Sequence, residues 1–459
     1  MYNAYVTTIK NVRKHPNADR LQLGECFGNT VCVDLRYTDN QIGIYFPTDG
    51  QLSVEFAEAN NLLRKKDENG NNVGGYMDPN KRNVVAIRLR GEKSDGLFLP
   101  LTCLESFGDI STLKVGDVIN VFNGHEICQK YIPRRNPSRR TSNGNKTRKK
   151  KVNIAPLFME HADTEQLAYN LSAFRPGDEI EITLKMHGTS QRTGYLPIFK
   201  GYNPDFWGKI ANSVDPNRKL GKLTASLYET ALRYATPIYE WGYVSGTRRT
   251  VLDNYEGGYY GSNEFRKQHS KFFEGKLWKG EEVFYEVVGF THTGTPIMAT
   301  GNNKKLNDKE FVKQYGETTT FSYGCDPNGN DGKPQSDIYV YRMTMANEDG
   351  DIIEYTPDFM RYRCEQMGVQ TVLPFCRGFI PEDVEDAGEW VKNLVEQYYD
   401  GPDPVGINHI REGVVVRILN RPKFTAYKHK NFSFKVLAGI IKDTADAPDM
   451  EETEETINE

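Results

Sequence analysis

A run of charge in the interior of the chain does most to limit its fold. Between Lys130 and Lys151 stand ten Lys or Arg and no Asp or Glu, interleaved with Pro133, Pro137, Ser138, Ser142, Asn143 and Gly144. Such a segment has no apolar periodicity to bury and repels itself, so it separates folding units rather than joining a core. The chain has 459 residues, and domains commonly take ~100–200. The expectation is therefore a module over 1–128, a basic linker over 129–152 and a larger domain over 153–442. The linker is either a solvated hinge or an arm for a phosphate backbone. From Asp443 to Glu459 there are eight acids and no base, read as a disordered solubilising tail that could also shield a basic surface.

Outside these two segments the charges balance. The net charge is −4 with 26% charged residues, which excludes a bulk polycation and the composition of a disordered chain. No apolar run approaches the ~18 residues of a membrane span, and Met1 to Lys14 has no apolar core of a secretory leader. The seven cysteines (26, 32, 103, 128, 325, 364 and 376) form an odd set without a Cys-x-x-Cys pair, so neither a disulfide framework nor a zinc knuckle is indicated. A reduced, cytoplasmic protein with no membrane partner is expected.

In the first module, strand-like runs at Tyr5–Ile9, Thr30–Leu35, Ile42–Phe46, Val84–Arg88 and Val118–Phe122 are punctuated by Gly and Asn, which suggests a small β-barrel or sandwich. His15-Pro16-Asn17-Ala18-Asp19 is a turn cluster with a strand following at Leu21–Cys26; if it is turn chemistry alone, His15 stands at the surface. The larger domain mixes strands at Ile180–Leu184, Val283–Val288, Ile338–Met345 and Gly413–Ile418 with helical spacing of Leu220, Leu223, Leu227 and Ala231, and of Trp390, Leu394 and Tyr398. That pattern is α+β.

The most informative string is Glu181–Arg192, EITLKMHGTSQR. Alternation over 181–185 makes a half-buried strand that delivers Lys185 to the face opposite Ile182, and Gly188 allows a tight turn directly after it. Covalent chemistry through an amine needs such a lysine, fixed and partly desolvated, because a free one titrates near ~10.4. Four further strings fit round it. Phe284-Tyr285-Glu286-Val287-Val288-Gly289 is a buried strand with one acid, whose carboxylate must meet a structural cation, a ribose hydroxyl or metal-bound water. Arg411-Glu412-Gly413-Val414-Val415-Val416-Arg417 places Glu412 at the mouth of a Val-rich strand. Tyr427-Lys428-His429-Lys430 puts Lys428 and Lys430 on one side, able to clamp phosphates. Ile338-Tyr339-Val340-Tyr341-Arg342 offers two aromatics on one face. Ser245–Thr250 adds Arg248 and Arg249, guanidiniums suited to phosphate.

Singly, each string is commonplace. Together and in this order they resemble the motif set of covalent nucleotidyltransferases, the polynucleotide ligases and mRNA capping enzymes. The resemblance makes Lys185 the nucleophile of K-x-x-G, with His187 and Gly188 in the nucleotide-binding turn. It makes Arg248 a phosphate or ribose contact, Glu286 a ribose or metal-water ligand and Tyr341 the adenine-stacking ring. Glu412 handles the divalent metal, directly or through water as for Glu286, and Lys428 and Lys430 hold the α-phosphate. Ser190 stands where many DNA ligases have an Arg, and Arg192 follows two residues later, so Arg192 joins the nucleotide-binding set with its role open.

DNA ligases and capping enzymes carry an OB domain after the last motif. Here only 29 residues follow Lys430, fewer than the ~50 of a small domain. The barrel-like module comes first, and HPNADRL resembles the opening of tRNA-binding OB-fold domains. Phe158–Gln166 likewise looks like the segment preceding the lysine in RNA ligases. The whole arrangement is similar to the Deinococcus-type RNA ligase family. That implies an N-terminal OB-like barrel, an adenylyltransferase domain, ATP, Mg²⁺ or Mn²⁺, and RNA with 3′-hydroxyl and 5′-phosphate ends, acted on by a monomer. The alternatives are a capping-type guanylyltransferase, a DNA ligase, or a non-catalytic tRNA- or RNA-binding protein. No Walker A string occurs, so a P-loop ATPase is not indicated.

Overall fold

The computed structural model describes residues 2–66, 69–70, 72–132, 153–161, 164–213, 222–252, 255, 260 and 262–442. Most of the expected basic linker and all of the acidic tail lie outside the described residues.

In the first module, Ala4–Thr8 sits at the centre of a four-stranded antiparallel sheet between Ile42–Phe46 and Val118–Ile119, with Leu97–Pro100 on the far edge. One face buries Val6, Ile44, Phe46, Phe56 and Leu104. The chain then continues through buried Ile9 into a second sheet of Lys10–Lys14, Leu21–Cys26 and Asn29–Asp34, whose inner residues Val31 and Val33 pack with Tyr45 and Phe98. Among the described residues these sheets do not close into one barrel, which corrects the expectation of a barrel. Two expected strands are also broken, into Asn83–Val84 and Ala86–Leu89, and into Val118–Ile119 and Val121–Phe122. His15 is fully buried rather than at the surface. Its Nδ1 accepts the Asn17 N–H at 3.0 Å and its Nε2 lies 3.1 Å from the Leu89 carbonyl, so the turn is pinned to a neighbouring hairpin.

The larger part is built on two antiparallel sheets. The first has the order Glu165–Gln166, Thr425–Lys430, Gly413–Ile418, Glu179–Lys185, Pro374–Phe379, with only the first pair parallel. The second runs Pro237–Gly246, Thr189–Tyr202, Glu281–Gly289, Ser336–Ala346, Ile352–Glu354. Ile180, Ile182, Val414, Val416 and Ile418 point to the outer face of the first sheet, where the Ala387–Val395 helix covers them with Val391 and Val395. Burial of each such side chain contributes ~1.5–3 kcal/mol. Period-2 alternation then sends Glu181, Thr183, Lys185, Val415 and Arg417 to the inner face. The Lys222–Tyr234 helix forms in the expected stretch, with Leu220 outside the described residues; Ala231 is buried as the spacing predicts, while Leu227 is 50% exposed and Tyr228 is buried in its place. Ala231 and Ala235 pack closely on Tyr202 and Ala211, which turns Leu227 outward.

The chain crosses from the first sheet to the second between Lys185 and Thr189. The K-x-x-G turn is therefore the joint of the domain, and the residues near it on both sheets converge there.

Candidate functional site

Lys185 pairs with Gly413 in the strand register, and Gly413 pairs with Lys430 on the other side. Glu412 immediately precedes this central glycine, so its carboxylate lies between the two ammonium groups. Lys185 Nζ is 3.1 Å from Glu412 Oε2, Lys430 Nζ is 3.0 Å from Oε1, and His187 Nδ1 is 3.6 Å from Oε2. Glu412 is 2% exposed. Burial alone would raise its pKa, but Lys185, Lys430 and His187 together outweigh burial and hold the carboxyl well below the usual range. The strands can approach this closely because residue 413 is glycine. Its φ is +147°, and a Cβ there would sit 2.1 Å from the His429 carbonyl oxygen.

The turn after Lys185 is fixed from both sides. The Gly188 N–H donates to Glu286 Oε1 at 3.1 Å, and a Cβ on Gly188 would lie 2.4 Å from the Val287 carbonyl oxygen. The motif glycine is thus required by the approach of the Glu281–Gly289 strand. The His187 N–H donates to the Tyr323 hydroxyl at 2.7 Å. The His187 ring is met edge to face by Phe321 at 4.6 Å and Phe434 at 4.8 Å, so the imidazole has little freedom to turn. Beyond Gly188, Arg266 is fully buried and donates to the Ser190 carbonyl and the Thr189 hydroxyl, at 3.0 and 2.6 Å. Tyr323, Phe434 and Arg266 were not singled out in the sequence. Only their contacts, made by residues distant in the chain, mark them.

A second group lies further along the inner face. The Tyr341 hydroxyl is 2.9 Å from Ser190 Oγ, and its ring is 5.1 Å from His161, which also meets Phe284 and Phe424. Tyr341 is the extra residue of a β-bulge, since Phe284 pairs with Arg342 while Tyr285 pairs with Val340. Tyr339 is buried in the main core, so the two tyrosines do not form one stacking face, and only Tyr341 remains as the candidate ring. Arg192 is 1% exposed. It donates to Thr247 O at 2.8 Å, pairs with Glu282 at 3.2 Å and lies 3.7 Å over the Phe158 ring. Burial lowers the Arg192 pKa and pushes that of Glu282 up to about 7. These contacts make Arg192 the tie between the Phe158–His161 segment and the Thr247 turn. The Arg248 carbonyl accepts from His161 N at 3.2 Å, which brings Arg248 to the same tie. Lys428 pairs with Val415 in the register, two residues from Lys430 along the same strand.

Two carboxylates, Glu286 and Glu412, thus lie on either side of the turn. Glu412 Oε2 is buried and receives no hydrogen bond along a donor direction, although Lys185 is in ion-pair contact with it. A lone pair is therefore left for a water or a hydrated cation. Among the described residues no three His, Cys, Asp or Glu side chains group to hold a metal. The donor set fits a divalent ion gripped through water and substrate oxygens rather than an all-protein cage, as Mg²⁺-type ions prefer.

The sequence matches no protein-family model and no curated protein. Among solved structures the chain is similar to Naegleria gruberi RNA ligase with PPi, at 16% identity and a TM-score of 0.54, covering 94% of this chain and 97% of that one. It is also similar to one mutant of that ligase with ATP and Mn, at 14% identity, 94% and 98% coverage and a TM-score of 0.52. A second mutant, with AMP and Mn, gives 14% identity, 94% and 97% coverage and a TM-score of 0.52. At this identity the likeness speaks for the fold: a mixed α/β chain of antiparallel sheets with the architecture of these RNA ligases. Among the described residues no helix is long and apolar enough to cross a membrane.

Proposed function

We propose that this chain is an ATP-dependent RNA ligase of the Deinococcus type, acting through a lysyl-AMP intermediate. The observation that carries the reading is the sharing of one buried carboxylate, Glu412, by Lys185 and Lys430 at 3.1 and 3.0 Å. The shared carboxylate fixes both amines at one strand end beside the Gly188 turn, the placement that amine attack on a phosphate held there requires.

As a free amine, Lys185 Nζ attacks the α-phosphorus of ATP, and the bond to the bridging oxygen breaks to release pyrophosphate. Lys430 and Lys428 neutralise the α-phosphate oxygens. Tyr341 offers the adenine a ring face, and Glu286 the ribose an acceptor. The AMP then passes to an RNA 5′-phosphate, and a 3′-hydroxyl displaces AMP to form the phosphodiester. A divalent cation such as Mg²⁺ or Mn²⁺ would be held by Glu286 and Glu412 through water, supplying charge stabilisation on the phosphates. The N-terminal module is assigned to RNA, supported by the HPNADRL turn and its strand-rich build.

The test is incubation with α-labelled ATP or GTP and Mn²⁺ or Mg²⁺. Acid-labile label is expected from ATP only, with none on Lys185→Ala. Label from GTP alone would favour a capping enzyme, and an unlabelled wild type would refute the proposal. Sealing of nicks ending in ribose, but not of all-DNA nicks, is expected to follow.

A further inference from the structure

The loop over 401–411 leads directly into Glu412 and is tied off by its own backbone. The Asp403 N–H donates to the His409 carbonyl at 2.9 Å, the Ile407 N–H to the Asp403 carbonyl at 2.8 Å and the Arg411 N–H to the Gly401 carbonyl at 3.0 Å. At its tip Ile407 is 76% exposed with φ +58°, a left-handed conformation that a β-branched residue holds only when its surroundings impose it. Inside the loop, Asp403 and His409 are fully buried. Asp403 Oδ1 accepts the Val405 and Gly406 N–H groups at 2.9 and 3.2 Å. His409 Nδ1 lies 3.1 Å from the Ile410 carbonyl, so it carries the proton, and burial lowers the ring's pKa and keeps it neutral. Gly406 admits the ring, since a Cβ there would lie 2.1 Å from His409 Nε2. Asp403 Oδ2 and His409 Nε2 are thus two buried acceptors without a donor, a cost that a purely structural loop would be expected to shed. The His409 ring packs on Tyr323 at 4.6 Å and on Phe321 at 5.3 Å. These are the residues that hold His187, one by its backbone N–H and the other by its ring. Burial first, and the Asp403 carboxylate next, raise the Tyr323 pKa well above its ordinary value, so this hydroxyl keeps its proton.

We infer that Asp403 and His409 are positioning residues for the turn that follows Lys185: His409 backs the two rings that hold His187, and the Asp403 carboxylate orients the Tyr323 hydroxyl to receive the His187 N–H. This deepens the ligase reading above and rests on it. The carboxylate draws the hydroxyl proton to its own side and leaves a lone pair for the His187 N–H, 2.7 Å away. The same loop ends on Glu412, which contacts both Lys185 and His187. It therefore reaches the turn twice, once through Glu412 and once from behind through His409. Small displacements at a reacting centre carry large rate costs, so disturbing Asp403 or His409 slows amine attack although neither is assigned a contact with ATP.

The experiment follows lysyl-adenylate formation from α-labelled ATP in single turnover on the full chain, with rates referred to the folded fraction. The variants are Asp403→Asn, His409→Ala, His409→Phe, Tyr323→Phe and the double variant Asp403→Asn with Tyr323→Phe. Asp403→Asn, His409→Ala and Tyr323→Phe should each lose about tenfold in maximal rate, with ATP half-saturation changed by less than about threefold. His409→Phe keeps a ring against Tyr323 and Phe321 and should regain most of the rate. Because Asp403 acts through the Tyr323 hydroxyl, the double variant should be no slower than the worse single one by more than about threefold. A double variant slowed by the product of the two losses, about a hundredfold, would overturn the inference. So would Asp403→Asn and His409→Ala proteins that melt earlier yet label at the wild-type maximal rate. If the wild type takes no label at all, the ligase reading itself has failed and this inference falls with it.

Discussion

Replacement of Glu412 by Gln keeps the shape of the side chain and removes the one charge that two ammonium groups share. At about 3 Å and an effective dielectric near 20, each contact is worth about 5 kcal/mol before desolvation. Removing one partner of a buried pair typically costs ~3–5 kcal/mol. Lys185 and Lys430 keep 21% and 25% exposure and can partly turn to water, so we take the lower figure, about 3 kcal/mol. For a cooperative unit of roughly 290 residues, ~2.1 cal/mol/K per residue converts this to a melting midpoint about 5 °C lower. The pH dependence gives a sharper check. Glu412 titrates below its ordinary 4.5 in the fold, so its stabilisation is complete above that value and is lost as pH falls through the lower folded pKa. The difference between wild type and Glu412→Gln should therefore be constant from pH 8 to 5 and shrink below 4.5. Thermal melts across that range, followed by near-ultraviolet dichroism, measure it directly. A variant as stable as wild type at pH 7, or a gap that widens in acid, would refute the account of this carboxylate.

Gly413→Ala places a Cβ 2.1 Å from a backbone oxygen, so it should cost at least ~1–3 kcal/mol in urea unfolding and abolish labelling by ATP. Tyr323→Phe leaves the buried His187 N–H without its acceptor and should cost ~1–3 kcal/mol, with a matching drop in adenylylation rate. His269 is held neutral by burial and by Arg266, its pKa pushed down to about 4. The unfolded chain thus takes up this proton first, and stability falls as pH drops from 6.5 toward 4, by up to ~1.4 kcal/mol per pH unit. In His269→Gln, denaturant midpoints should lose that slope. Chelation of divalent ions should stop labelling by ATP while leaving the melting midpoint nearly unchanged, since no described cluster of protein ligands depends on a metal for folding.

Several strands of both parts were legible as apolar or alternating runs bounded by turn residues. The Leu21–Cys26 and Ile42–Phe46 runs of the first module and Gly413–Ile418 of the larger domain coincide with the expected bounds, and Glu179–Lys185 delivers its lysine inward. The meeting of Lys185, Glu412 and Lys430 was legible only as three separate strings, because the register that joins them spans more than two hundred residues. What sequence patterns could not carry were the long-range choices. The barrel did not close, Leu227 faced outward because small residues made the better helix contact, and His15 was buried by a carbonyl from residue 89. Arg266 and Tyr323 lie in stretches without any motif, and they reach the turn through hydrogen bonds to residues far away in sequence.

The bulge at Tyr341 has a consequence for engineering. A ladder with one surplus residue gives up regular pairing at that spot, and deleting it would let the neighbouring rungs join without a gap. Such a shortened chain should resist heat better while losing the ring that reaches Ser190. Selection for thermal robustness alone would therefore tend to erase the feature that sets the cleft wall apart from an ordinary sheet.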